Sequence, residues 1–144
     1  NGCRIILVDS LNGYLNAIPM GHLPLVRMHE LVAYLNDHDV ATLLISAQHG
    51  MMGTHMISPI DVSYLADSVV LLRFFEAEGM VRKAISVVKK RTGTHETTIR
   101  EFAIGPIRVR VGEPLSQFQG VMTGVPHYRG TAGPLLQDDP TAPR

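Results

Sequence analysis

The chain has 144 residues, 45% of them hydrophobic, enough for one domain with a core of its own. Lys plus Arg and Asp plus Glu each total 13, so no bulk positive field draws the whole chain to nucleic acid or anionic lipid, and any polyanion site has to be local. The single cysteine, Cys3, excludes an internal disulfide and fits a reducing compartment. No apolar run reaches the ~18 residues of a membrane-spanning helix, and the first residues show no charged segment leading into an apolar one, so a soluble cytoplasmic protein with no membrane partner is expected. Asn1-Gly2 leads straight into an apolar run without a starting methionine, and the chain is expected to be a piece of a longer protein.

Residues 4–8 form a continuous β-branched run ending in Asp9-Ser10, the pattern of a strand buried on both faces in a parallel sheet. Residues 22–38 follow as a helix, with Pro24 near its start and Leu25, Met28, Leu31, Val32 and Leu35 on one stripe. Residues 41–47 read as a second buried strand, completing a strand-helix-strand unit. Residues 48–59 are a Gly-, Met- and His-rich loop, and residues 61–66 add at most one helical turn. Strands at 69–75 and 81–91 flank a polar turn and form a hairpin; alternation over 97–104 and 107–111 adds further antiparallel strands. Residues 1–124 therefore read as one α/β domain. Residues 125–144 read as a tail rich in Pro, Gly and Asp; from Thr131 onward the composition cannot offset the entropy of ordering, so disorder is expected there.

Apolar residues closed by an acid, as in Ile5-Ile6-Leu7-Val8-Asp9, match a Walker B strand, whose carboxylate holds Mg²⁺ through water. Many α/β strands end in Asp for turn chemistry alone, so the surrounding pattern has to decide. Lys89 and Arg91 stand two apart on a strand and are expected to share an exposed face, with Val88 turned to the core between them. A point charge beside a planar fork suits a phosphate, although a solvated basic edge has the same spacing.

Taken together, these segments resemble the KaiC family of the RecA superfamily. The resemblance runs from Ile5 to about Gly124 and is carried by Leu7-Val8-Asp9-Ser10, Ala66-Asp67-Ser68-Val69-Val70-Leu71-Leu72-Arg73, Arg82-Lys83-Ala84-Ile85, Lys89-Lys90-Arg91 with His95, and Thr98-Ile99-Arg100-Glu101-Phe102. It implies a partial RecA-like P-loop NTPase core, with parallel strands and a crossover helix followed by antiparallel strands. It implies Asp9 as the Walker B acid, ATP and Mg²⁺ as cofactors, and a homo-oligomeric, hexameric ring. Lys89, Lys90 and Arg91 would reach ATP held by the neighbouring subunit, and Gly93, Thr94 and His95 would line it. In clock members of the family Ser63 aligns with a phosphorylated serine, whereas Tyr64 replaces the threonine beside it; Ser63 can equally cap a turn. Gln48 is a candidate γ-phosphate sensor or simply the end of a strand.

The chain has no Gly-x-x-x-x-Gly-Lys-Ser/Thr loop and no adjacent glutamate pair, so by itself it is not expected to hydrolyse ATP. In RecA-type sheets the P-loop strand lies between those corresponding to 41–47 and 69–75. Without it, the expectation is that these two pair directly or that a second copy fills the gap. The seven histidines show no paired metal-ligand spacing, and Met51, Met52 and Met56 read as loop packing. Two other readings remain: a non-catalytic module that binds signalling proteins, and a RecA-like DNA-dependent ATPase. Residues 48–59 contain no Lys or Arg, which argues against nucleic acid.

Overall fold

Ile5–Asp9 (β1) and Ala41–Ile45 (β2) lie side by side and parallel, in register from Ile5 opposite Ala41 to Asp9 opposite Ile45. The computed structural model describes residues 2–19, 23–47, 63–123 and 125–130. These form two units, one running to residue 66 and the other starting at residue 67.

In the first unit, Ser10 starts Leu11–Ala17 (α1), its hydroxyl accepting from the Gly13 amide at 3.3 Å. The longer helix Pro24–Asp37 (α2) begins on proline, whose missing N–H costs nothing in a first turn. Leu11, Leu15 and Met28 are buried together, with Tyr14, Ile18, Val32, Leu44 and Leu65 packed against them. At about 1.5–3 kcal/mol per fully buried large apolar side chain, this cluster is the main stabilising term of the unit. The opposite sheet face, carrying Ile5, Leu7, Leu43 and Ile45, is exposed; Ile5 retains 65% of its accessible surface and Leu7 56%. Burial of β1 on both faces is thus not observed. An unbroken apolar run records what a strand can bury, whereas the helices of this unit cover one side.

The second unit is a four-stranded antiparallel sheet in sequence order: Ser68–Ala77 (β3), Met80–Lys90 (β4), Arg100–Ile104 (β5) and Val109–Pro114 (β6). Glu78 and Gly79 join β3 to β4 with φ of 55° and 71°, the doubly positive geometry of a tight hairpin turn. Phe118–Gln119 (β7) pairs with His127–Tyr128 (β8), so the tail expected from residue 125 includes a paired strand; residues 131–144 lie outside the described residues. Phe75, Ala77, Ala84, Leu115 and Val121 form the core, with Ile99 and Phe118 against it and the Phe75 and Phe118 rings edge to face at 5.7 Å.

Polar groups share that buried side. Arg82 donates to Glu101 at 2.9 Å and to Glu78 at 3.0 Å, with the Arg82 and Glu101 side chains only 10% and 7% exposed. Arg73 is less well served: its Nε and Nη1 are buried without a hydrogen-bond partner, and burial lowers its pKa.

β2 and β3 belong to separate sheets, so direct pairing of these strands is not observed. Each keeps one ladder partner among the described residues, β1 for β2 and β4 for β3. The expected strand over 97–104 begins only at Arg100, because the Glu96 carboxylate accepts from the Thr98 amide at 3.1 Å and its hydroxyl at 2.7 Å. A local side-chain bond here occupies the amide that a ladder would use.

Candidate functional site

The expected site residues fall into two groups, one in each unit.

In the first unit, Asp9 is the last residue of β1 and is exposed at the C-terminal edge of the parallel pair, level with Ile45. The peptide bond that follows it, to Ser10, is cis. Asn12 completes this edge: its Oδ1 accepts from the Ala47 amide at 3.1 Å and lies 3.5 Å from the Ser46 hydroxyl. That contact ties the start of α1 to the end of β2, leaving Asp9 between two fastened segments. β2 ends at Ile45 rather than at residue 47, and Gln48 lies outside the described residues. Ser63 is exposed in a turn whose carbonyl accepts from the Ala66 amide at 3.3 Å. Among the described residues no three His, Cys, Asp or Glu side chains converge on a metal position. A single carboxylate at a strand tip nevertheless fits Mg²⁺, which keeps most of its waters and takes further ligands from nucleotide phosphates.

In the second unit, Lys89 and Lys90 end β4, and Arg91 opens a bend that runs through Thr92 and Gly93 to Thr94 and His95. The expected alternation fails here. Val69 pairs with Lys89 but Val70 pairs with Val87, so Val88 is an extra, bulged residue. As a result Val88 is 49% exposed while Lys89 is half-buried. Arg91 lies beyond the strand and is exposed, and its guanidinium meets Asp67 at 2.9 Å. The bend itself is held at three points. Lys90 Nζ donates to the Thr94 carbonyl at 3.3 Å. Gly93 takes φ +75°, a conformation that favours glycine. Glu96 receives Thr98 on one oxygen and Arg100 on the other at 3.3 Å, and Arg100 in turn donates to the Gly112 carbonyl at 3.1 Å. The Thr98 hydroxyl and amide, aided by Arg100, hold the Glu96 carboxyl below its ordinary pKa. His95 is half-buried within this braced arc.

The structure thus assembles residues 89–95 into one cationic arc and places Asp9 at an exposed strand tip. It adds two residues that spacing did not single out. Asn12 acts through a contact 35 positions away, which no local pattern reveals. Asp67 stands inside a segment that carries the resemblance, and its position directly before β3, opposite the end of β4, is the signal that points to it.

Both groups lie within the segment that matches a known family. Residues 2–116 match the family described as "ATPase: KaiC". The circadian clock protein KaiC3 of Synechocystis sp. is 31% identical over 98 residues, covering 68% of this chain and 19% of that protein. The circadian clock oscillator protein KaiC of Parasynechococcus marenigrum is 28% identical over 97 residues, 67% of the chain and 19% of the relative. That of Synechococcus elongatus is 27% identical over 96 residues, 67% and 18%. The chain therefore matches only about a fifth of the length of these relatives.

Proposed function

The chain belongs to the KaiC ATPase family, and from that premise we propose that it is the part of an ATP-binding, ATP-hydrolysing signalling or clock-type protein that completes an ATP site between subunits. Asp9 is the Walker B acid, orienting Mg²⁺ through water within its own subunit. Lys89, Lys90 and Arg91, with Gly93, Thr94 and His95, contact ATP held by the adjacent subunit of a homo-oligomeric, hexameric ring in the cytoplasm. The phosphate-binding loop and the glutamates that activate water come from sequence outside these 144 residues, since neither motif occurs within them. The P-loop strand that goes with that loop belongs beside β2. Gln48 is a candidate γ-phosphate sensor and Ser63 a candidate phosphorylation site, with Tyr64 in place of the second acceptor.

The observation that carries this reading is the braced cationic arc. A strand end bearing Lys89, Lys90 and Arg91 continues into a bend fixed by Lys90, Gly93 and Glu96. A solvated basic edge needs no such bracing; a phosphate site does, because ordering donors beforehand lowers the entropic cost of binding. Lys90, whose ammonium is bonded to the Thr94 carbonyl, shapes the arc as well as adding charge to it.

Calorimetric titration of ATP into the full-length protein that contains this chain tests the proposal. Lys89→Ala combined with Arg91→Ala is expected to weaken ATP binding at least tenfold, the scale of losing two charge-assisted contacts at roughly 1.5–3 kcal/mol each before solvent screening. It should also shift the ring toward smaller species in sedimentation. Unchanged affinity and assembly would leave the interaction-module reading in its place.

A further inference from the structure

The Asp67 and Arg91 pair is built at two levels. Ser68 opposite Lys90 is the last rung of the β3–β4 ladder, and Asp67 and Arg91 stand where the next would fall. There the Arg91 amide donates to the Asp67 carbonyl at 2.7 Å, and the Arg91 guanidinium meets the Asp67 carboxylate at 2.9 Å. One residue thus holds both the main chain and the side chain of Arg91. Two residues later the chain turns through Gly93, so Asp67 fastens the arc at Arg91, just where it leaves the ladder. The side chains are 56% and 72% exposed, which makes the ion pair a minor contributor to folding. What such a clasp changes is the freedom of the arginine, a long side chain that otherwise samples many rotamers.

We propose that Asp67 is the positioning residue for Arg91, holding the guanidinium in the orientation in which it receives a nucleotide phosphate. This rests on the assignment of Arg91 to an ATP contact. Two effects of the carboxylate oppose each other. Its charge repels the phosphates, whereas its clasp prepares the arginine for them. The sign of the change on neutralising it therefore separates a positioning group from a merely neighbouring charge.

The experiment is a double-mutant cycle on the full-length protein, read as the ATP dissociation constant with thermal unfolding as a control. Asp67→Asn is expected to weaken ATP binding about two- to fivefold, the range for a single exposed ion pair. Asp67→Glu should restore part of the loss, and Asp67→Asn should have no effect in an Arg91→Ala background. Tighter ATP binding in Asp67→Asn, or an equal loss in both backgrounds, overturns the proposal. So does no loss at all where Arg91→Ala alone weakens binding. If Arg91→Ala leaves ATP affinity unchanged, the assignment of Arg91 itself falls, and the positioning role falls with it.

Discussion

Arg82 and Glu101 show how much a single buried contact weighs in this chain. Their ion pair is almost closed to solvent, whereas the Glu78 partner of the same arginine is 58% exposed. Removing one member of a buried pair leaves an uncompensated charge, at a cost of about 3–5 kcal/mol, while an exposed pair is worth under about 1 kcal/mol. Because Arg82 keeps its Glu78 contact when Glu101 is removed, Glu101→Ala is expected to lower the stability of the chain by less than that full cost, about 2 kcal/mol, and Glu78→Ala by less than about 1 kcal/mol, compared through urea midpoints at constant slope. Similar losses for the two would mean that Arg82 keeps its charge solvated without Glu101. The near-complete burial of the Arg82 and Glu101 side chains goes with a face that Leu115, Phe118 and Val121 cover around Phe75 and Ala84, which strand alternation does not encode.

At the scale of the element, the bend after β4 depends on Glu96. Its carboxyl pKa is depressed, so the ionised form is the one the fold favours. The sign follows from linkage: the contribution is complete above the ordinary value of 4.5 and is lost as pH falls through the lower folded value. The difference in urea midpoint between wild type and Glu96→Gln is thus expected to stay constant near neutrality and to shrink only below about pH 4.5, with the Thr98 amide losing hydrogen-exchange protection over the same window. A difference that persists unchanged to low pH would show that the carboxylate is not what braces the bend. The Val88 bulge belongs to this scale too. Two cations two apart on a strand predict a shared face, but one inserted residue turns Val88 outward and moves Lys89 toward the packed side. A bulge is a property of the ladder, set by how two strands match, so neither strand read alone reveals it.

For the whole molecule, the exposed apolar surface is the dominant physical fact. Ile5, Leu7, Leu43 and Ile45 share one face of the β1–β2 pair, and Val70, Leu72 and Phe74 lie exposed along β3. Monomeric soluble proteins seldom leave contiguous patches of this kind uncovered. The isolated chain is expected to self-associate, seen as sedimentation coefficients that rise across a concentration series. Leu7→Lys with Leu43→Lys should shift it toward monomer with its circular dichroism unchanged. A chain that stays monomeric throughout would show that these faces need no partner layer. Apart from the short helix α1, which was not among the expected elements, much of the architecture was legible in the sequence: the parallel strands with α2 between them, the antiparallel order that follows and the acid at the tip of β1 come from periodicity, Pro24 and the polar turn before β4. Those features are local, because hydrogen-bond geometry within a few residues dictates them. The one-sided burial of β1, the bulge at Val88 and the clasp between Asp67 and Arg91 were decided only in the tertiary structure. Each depends on which surfaces and strands meet across long stretches of chain, and the pattern of any one segment is compatible with more than one such partner.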